Sequence, residues 1–287
     1  MKLFSKGVWM MLVASLGFGF MNISVKSISG MHVSEIVFFR ALVQIVISSI
    51  ILWRLKESPW GKNPKLLIMR GFFGSMGLLS YFYSLQVMPL SNALVIHYLS
   101  PILTTLLAFI IGDERVQPIQ WLFFSLSFVG VVVVNGVSSL VTWDGILAGL
   151  GGAIFSALAY NTIRRLKGIE NPNVVVLYFP MVTLPISFVF PVLGIGEWRL
   201  PLNMEWLYLI LTGLFTQVGQ FFMTRAYQEA ETRLVSGISY AGILWGTGFG
   251  LLLFNESYSL IQYFGMIMVL VGMVLNVRSN KGLGFRR

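Results

Sequence analysis

A few polar side chains interrupt long apolar stretches of this sequence, and their types are the ones that could do chemistry. Arg40 lies about two turns into one such stretch, and Gln44 and Ser48 follow at i+4 spacing, so they share one helix face. An ionisable side chain inside an apolar segment is costly and usually faces a cavity or a partner. We therefore predict a binding stripe with Arg40 as the anchor for an anionic group. The alternative is that Arg40 lies near the outer end of its segment and pairs with Glu35.

His97 lies near the middle of another apolar stretch and is one of 2 histidines in the chain. Because an imidazole changes its charge near neutral pH, His97 is predicted to contact a solute or to take up a coupling proton. The alternative is a neutral histidine that hydrogen-bonds between helices. Gln217 and Gln220, three residues apart, form a second polar pair. They are predicted to face a wet cavity or to hydrogen-bond between helices.

Aromatic side chains with polar tips form a third group of candidates. Their ring faces suit amphipathic solutes and cations, and their alternative role is packing or an interfacial belt. Pro101, Pro180 and Pro185 are predicted to bend their helices, either as hinges or as static kinks. The remaining candidates for solute contact are Tyr83, Tyr98, Tyr160, Ser239, Tyr240 and Trp245.

Catalytic and metal-binding signatures are missing from the sequence. The chain has no cysteine, which excludes disulfides and thiolate chemistry, and 2 histidines are too few for a zinc site without several carboxylates. The H-E-x-x-H, G-x-S-x-G and Walker A patterns are also absent. We predict that the protein is not an enzyme and binds no metal and no cofactor.

The composition predicts an all-α polytopic membrane protein. Of the 287 residues, 56% are hydrophobic and 11% are charged, with a mean hydropathy of +0.80. So few polar side chains cannot cover a water-soluble fold. Because about 20 apolar residues cross a bilayer as a helix, we predict ten spans, at 7–28, 34–53, 66–86, 90–112, 118–136, 143–163, 174–194, 205–226, 233–254 and 258–278.

Lys and Arg are distributed unevenly between the connections of these spans. If the N-terminus is cytoplasmic, all of the 20 Lys and Arg residues except Lys26, Arg40 and Arg199 fall on the cytoplasmic side. This bias follows the positive-inside rule and predicts that both termini are cytoplasmic. The net charge of +9 is then a topology signal and does not indicate nucleic acid. The short connections and the lack of long tails favour a bacterial inner membrane.

The two halves of the chain resemble each other. A shift of 142 residues aligns 73–134 with 215–276 without gaps. Each half, 7–136 and 143–278, holds five predicted spans, so the second half starts on the opposite side of the membrane and the halves are inverted repeats. Such repeats can pack in two mirror-related ways around one central site, which is typical of transporters. The identical pairs include Gly77/Gly219, Tyr98/Tyr240, Glu114/Glu256, Gln120/Gln262 and Gly130/Gly272.

Short motifs in both halves resemble those of a known family. They are Arg70-Gly71-Phe72-Phe73-Gly74, Tyr81-Phe82-Tyr83-Ser84-Leu85, Leu99-Ser100-Pro101 and Asp113-Glu114-Arg115, and then Arg225-Ala226-Tyr227, Tyr240 and Asn255-Glu256. This pattern resembles the EamA-type transporters of the drug/metabolite transporter superfamily over nearly the whole chain. The resemblance implies ten helices, inverted five-helix repeats and a central cavity lined mainly by spans 1–4 and 6–9.

Two details of the resemblance carry further expectations. Phe38-Phe39-Arg40, followed by the Arg70–Gly74 motif, is similar to the pattern of a branch that includes bacterial S-adenosylmethionine carriers. Ser100-Pro101 aligns with Gly242-Ile243, so a gate built on a proline kink would be asymmetric.

Together these features predict a secondary transporter. It would move a small organic metabolite by alternating access, and Arg40 with His97 favours an amino-acid-like zwitterion or a carboxylate as that solute. The alternative is a non-transporting membrane sensor or assembly partner on the same fold. The partners indicated are a solute and the lipid bilayer. A coupling proton, an exchange solute and a homodimer stay open, and no nucleic acid is expected.

Overall fold

The computed structural model describes residues 6–28, 30–87, 90–111, 116–135, 142–194, 197–253 and 258–279, and Glu114 and Glu256 lie outside them. All regular secondary structure in these residues is α-helical. The helices are α1 (Lys6–Lys26), α2 (Val33–Leu55), α3 (Pro64–Val87), α4 (Leu90–His97), α5 (Ser100–Ile110), α6 (Pro118–Asn135), α7 (Trp143–Arg165), α8 (Pro172–Val192), α9 (Glu205–Glu229), α10 (Thr232–Ser239), α11 (Ala241–Leu253) and α12 (Leu260–Ser279).

Several of these helices suit a bilayer. Within the described residues, 6 helices are long and apolar enough to cross a membrane: α1, α2, α7, α8, α9 and α12. Large apolar side chains such as Val46, Ile50 and Phe264 are exposed on their outward faces. A helix satisfies its own backbone hydrogen bonds, so such faces can lie against lipid. The helices and their apolar surface are those of an integral, multi-pass membrane protein.

Two of the expected spans are each divided into two helices. The 90–112 span consists of α4 and α5, with a break at Tyr98 and Leu99, and the 233–254 span consists of α10 and α11, with a break at Tyr240. Pro101 occupies the first turn of α5, where its missing N–H costs little. The second half has no proline here and is interrupted at the position equivalent to Tyr98, so the break itself does not depend on proline.

The prolines of α8 do not interrupt that helix. Pro180 and Pro185 lie inside a continuous helix from Pro172 to Val192. Their action as hinges therefore remains a prediction about motion.

The packing of the helices follows the repeat. Helix α1 packs along α9, and α7, the equivalent of α1, packs along α3, the equivalent of α9. Helix α2 packs on α8, and α6 packs on α12. In each of these two pairs, the helices are the repeat equivalents of each other. The first helix of each half therefore lies against the third helix of the other half, so the halves interlock.

Glycines at equivalent positions permit this interlocking. A Cβ on Gly77 of α3 would lie 3.0 Å from the backbone nitrogen of Ser156 on α7, and a Cβ on Gly219 of α9 would meet the Phe18 ring on α1. Small residues let helices approach this closely. The identical pair Gly77/Gly219 is thus explained by helix packing at two equivalent crossings.

Hydrogen bonds join the halves at both ends of the α2–α8 pair. We define the near face as the end where α1 begins and the far face as the end where α1 finishes. At the far face, Trp198 Nε1 donates to Ser34 Oγ at 2.9 Å. At the near face, the backbone N–H groups of Lys62 and Asn63 donate to Glu170 Oε1. Because these hydrogen bonds join the two halves at both faces, they hold α2 and α8 together at both ends.

Glu170→Ala is expected to destabilise the fold. Glu170 is buried, and its removal leaves two backbone donors without an acceptor, which costs about 1–3 kcal/mol. Thermal unfolding in detergent measures the loss, and Glu170→Gln, which keeps an acceptor oxygen, should lose less. Glu57→Ala, at an exposed position in the same connection as Lys62, is the matched control. Equal melting temperatures for Glu170→Ala and Glu57→Ala would contradict the role of this contact.

Candidate functional site

A cavity of about 220 Å³ lies at the centre of the bundle and is lined by both halves. Its walls come from α1, α3, α7 and α9, from α2 and α8, and from the four short helices of the interrupted spans. Much of the lining follows the repeat, because both members of several equivalent pairs contribute. Examples are Leu78/Gln220, His97/Ser239 and Ser100/Gly242.

Arg70 reaches this cavity from α3 and is fully buried. Its Nη2 donates to Gln220 Oε1 on α9 at 2.7 Å, and its guanidinium carbon lies 4.7 Å from the centroid of the Phe179 ring on α8. Gly74, one turn further along α3, leaves room for the guanidinium, since a Cβ there would overlap Arg70 Nη1. The amide, the ring and the glycine together fix the position of the charge.

Arg40 reaches the cavity from α2, about two turns from the far face. Its Nη1 contacts Met21 Sδ at 3.9 Å, and its guanidinium carbon lies 5.9 Å from the Phe179 centroid. Arg40 Nε and Nη2 have no hydrogen-bond partner in the described part of the chain. Glu35 Oε1 instead accepts from the Arg199 backbone N–H at 3.3 Å. The structure thus places Arg40 in the cavity and away from Glu35.

The charge of the cavity is one-sided. Among the described residues, no Asp or Glu lines it, whereas two guanidinium groups do. Both come from the first half of the chain, and the 142-residue shift pairs Arg70 with the neutral Thr212. Buried charges are normally paired. A cavity with two cations and no carboxylate is therefore electrostatically complementary to an anionic group of a solute.

His97 lies at the end of α4, beside the break, and lines the cavity. Its ring packs on Tyr81 with centroids 4.1 Å apart, and its Nδ1 has no hydrogen-bond partner among the described residues. Imidazole Nδ1 can donate or accept, depending on the tautomer. This atom can therefore hydrogen-bond a solute that enters the cavity.

The structure brings half of the predicted site residues together. Besides Arg40 and His97, the cavity lining includes Tyr98, Tyr160, Gln220, Ser239 and Pro101. Trp245 is not a lining residue, but its Nε1 donates at 2.9 Å to the Oγ of Ser15, which lines the cavity.

Besides Trp245, four other residues predicted to contact the solute lie outside the described lining. Tyr83 is exposed, and its hydroxyl donates to Asp144 Oδ2 at 3.0 Å. Gln217 is buried and donates to Ser48 Oγ at 2.9 Å, as expected for hydrogen bonding between helices. Gln44 is buried on α2, away from the lining. The fourth residue is Tyr240.

Tyr240 is fully buried at the break between α10 and α11. Its hydroxyl donates to the Tyr98 backbone oxygen at 3.1 Å, and the two rings stack with centroids 5.9 Å apart. Tyr98, its equivalent, faces the cavity instead. The identical tyrosines thus have different environments in this structure.

The packing around the two breaks is also asymmetric. The near-face helices α5 and α10 pack against each other, whereas their counterparts α11 and α4 are not in comparable contact within the described ranges. Thr104 on α5 is fully buried, and its equivalent Gly246 on α11 is exposed, one turn from the lining residue Gly242. Among the described residues, the short helices thus pack together on the near-face side of the breaks and not comparably on the far-face side.

Arg70 and Phe179 are central here and were not among the predicted site residues. The sequence placed Arg70 with the cytoplasmic charges, because it lies close to the start of its span. A signal was present, since Arg70, Gly74, Leu78 and Tyr81 recur at i, i+4, i+8 and i+11 on one helix face. No comparable signal marks Phe179, which is one of 23 phenylalanines.

Known proteins of similar sequence cover nearly the whole chain. The "Pseudopaline exporter CntI" of Pseudomonas aeruginosa is 26% identical over 289 residues, which covers 98% of this chain and 99% of the relative. An "Uncharacterized transporter" of Helicobacter pylori is 31% identical over 92% of each chain. Human "Solute carrier family 35 member G1" is 27% identical over 87% of this chain and 73% of the relative.

A solved structure supports the fold. It superposes with a TM-score of 0.85 over 97% of this chain and 99% of the other, at 17% sequence identity. The narrower resemblance to S-adenosylmethionine carriers finds no support in the relatives named above and stays a prediction. The pattern of the EamA-like transporter family matches residues 5–136 and again 143–278. The chain therefore belongs to the EamA-like transporter family and is an integral membrane transporter.

Proposed function

We propose that this protein is a secondary carrier that moves a small organic metabolite, an amino-acid-like zwitterion or a carboxylate, by alternating access. The observation that carries this proposal is the central cavity in which Arg40 and Arg70 are both buried without a lining carboxylate among the described residues. A carrier can use binding energy from such groups because the solute supplies the missing negative charge.

The proposed topology has ten spans in two inverted five-span repeats with both termini cytoplasmic, in a bacterial inner membrane. The near face, which carries Arg54, Lys56, Arg164 and Arg165 at helix ends, is then the cytoplasmic one. The interrupted spans count as one crossing each. The equivalent packing of α1 on α9 and of α7 on α3 supports the repeat relation.

Alternating access is supported by the asymmetry at the breaks. Inverted repeats have two mirror-related packings, and exchanging the roles of the halves gives the second one. Here α5 and α10 are packed, so the cavity is closed towards the cytoplasmic side. In the exchanged state α4 and α11 pack and the cavity opens to the cytoplasm.

Flux in reconstituted vesicles tests the proposal. Wild-type protein should exchange a labelled amino acid or carboxylate, and Arg70→Gln should lower that flux by roughly 30-fold or more, because truncating a buried charged partner costs about 2–5 kcal/mol. Arg54→Gln, at an exposed position of α2, is the matched control and should leave flux unchanged.

The alternative function, a sensor or assembly partner without flux, predicts a different result. Vesicles would then show no flux for any zwitterion or carboxylate, while the protein would associate with a partner independently of solute. Flux that Arg70→Gln leaves unchanged would contradict the assignment of the cavity. The same vesicle assays test for a coupling proton and an exchange solute, and the mass of the protein in detergent tests for a homodimer.

A further inference from the structure

We propose that the solute carries two acid groups, one bound at Arg40 and the other at Arg70, on a chain that passes the Phe179 ring. This inference rests on the proposed carrier function and narrows its solute from a zwitterion or carboxylate to a dicarboxylate.

The two arginines are separate binding positions within reach of one small molecule. Arg40 enters from α2, about two turns from the far face, and Arg70 from α3, about two turns from the near face. Their guanidinium carbons lie 5.9 Å and 4.7 Å from the same Phe179 centroid. Arg70 Nη2 donates to Gln220 Oε1, which restricts rotation of the Arg70 guanidinium towards Arg40.

Each guanidinium retains donors for a ligand. In the described part of the chain, Arg70 Nε and Arg40 Nε and Nη2 are buried and have no hydrogen-bond partner. Buried donors of a charged group are costly when unsatisfied. A ligand with two acid groups supplies a carboxylate to each set of donors, whereas a ligand with one acid group has to share its two oxygens between them.

The charge of the lining disfavours a solute ammonium group. The described lining offers two cations and no carboxylate acceptor, so an added cation would be repelled by both arginines. A dianion neutralises the cavity. The apolar ring of Phe179, which lies close to both arginines, suits a short methylene chain that joins the two acids.

Binding to the full-length protein in detergent tests the inference. The probes are succinate, glutarate and adipate, the monoamide of each, butyrate and glutamate. We expect one of the three dicarboxylates to bind roughly 30-fold more tightly than its own monoamide, since the monoamide leaves one buried guanidinium uncompensated.

Arg40→Gln gives the decisive comparison. It should weaken the preferred dicarboxylate by roughly 30-fold while leaving the monoamide within about threefold, because the second acid group has then lost its partner. Arg40→Lys keeps the charge and should retain a preference for the dicarboxylate. Arg54→Gln is the control, and a single size-exclusion peak verifies the folding of each variant.

Three results would overturn the inference. Butyrate that binds as tightly as every dicarboxylate shows that one acid group is enough, and the proposed carrier function then stands. If Arg40→Gln weakens the binding of all probes equally, Arg40 does not bind a second acid group. Failure of all three dicarboxylates to bind also excludes it, whereas the proposed function fails only if vesicles show no flux of any zwitterion or carboxylate.

Discussion

Replacing Arg40 by Met is expected to make the empty protein more stable and, at the same time, to remove its stabilisation by solute. Arg40 is 3% exposed, and part of its guanidinium has no hydrogen-bond partner among the described residues. Replacing buried charge by a well-packed apolar side chain can stabilise a protein by about 1–4 kcal/mol. We expect about 1–2 kcal/mol here, because the substitution also removes the contact of Arg40 Nη1 with Met21 Sδ.

The increase in stability on adding solute should become smaller in Arg40→Met, although the empty variant is more stable. A ligand that binds the folded state raises apparent stability by mass action. Wild-type protein should therefore melt at a higher temperature when its solute is added, and Arg40→Met should show a raised baseline with little further rise. Thermal unfolding with and without solute measures both effects. Arg54→Met, on the same helix at an exposed position, controls for the substitution.

One result would contradict this account of Arg40. If Arg40→Met melts below the wild-type protein, the guanidinium stabilises the fold and is not a charge held for a solute. The same protein would then still respond to solute as the wild type does.

Tyr240→Phe and Tyr98→Phe are expected to shift the carrier between its two states in opposite directions. In this structure Tyr240 donates to the Tyr98 backbone oxygen. Exchange of the halves predicts the mirror bond, in which Tyr98 donates to the Tyr240 oxygen. Tyr240→Phe removes the bond of the present state and Tyr98→Phe removes that of the other. A hydrogen bond of about 0.5–1.5 kcal/mol corresponds to a roughly 3- to 10-fold change in the ratio of states.

Single reporter cysteines can measure this shift, because the chain contains no cysteine of its own. Thr104 and Gly246 are equivalent positions, one buried and one exposed, and a Cβ at Gly246 meets no atom within 4 Å. Labelling of Thr104→Cys by a water-soluble maleimide should speed up in the Tyr240→Phe background, while labelling of Gly246→Cys slows down. Tyr98→Phe should produce the reverse changes.

The two labelling rates separate this switch from simple loosening. If both reporters react faster in either background, the tyrosine pair stabilises the fold without selecting a state. If neither rate changes, the repeat exchange does not pass through this pair. The measurement is made without solute, so the presence of Tyr98 in the cavity wall does not affect it.

The sequence by itself determined the class of protein and much of its helix pattern. Apolar runs of about 20 residues predict membrane-spanning helices, because a segment in lipid has to satisfy its own backbone hydrogen bonds. The all-helical, multi-pass membrane class is confirmed, as is the EamA family. The shift of 142 residues also located Tyr98 and Tyr240, because identities at polar and glycine positions are rare by composition alone.

The packing decided which polar residues share one cavity. Arg40, His97, Gln220 and Ser239 meet because interlocked halves bring four different helices to one point, and no local pattern encodes that meeting. Gln217 and Gln220 are both glutamines on α9, but Gln217 contacts Ser48, since a step of three residues along a helix turns the side chain towards another neighbour.

The tertiary structure also decided the role of Arg70 and the asymmetry of the tyrosines. Arg70 lies near the end of its span, where the positive-inside rule assigns a cation to the cytoplasm. In the structure its side chain instead reaches the cavity, because Gly74 leaves space for the guanidinium and Gln220 accepts a hydrogen bond from it. Tyr98 and Tyr240 are identical in sequence and differ only in packing. A repeated sequence specifies two equivalent arrangements, and it is the closure of one set of helix contacts that selects which tyrosine is buried.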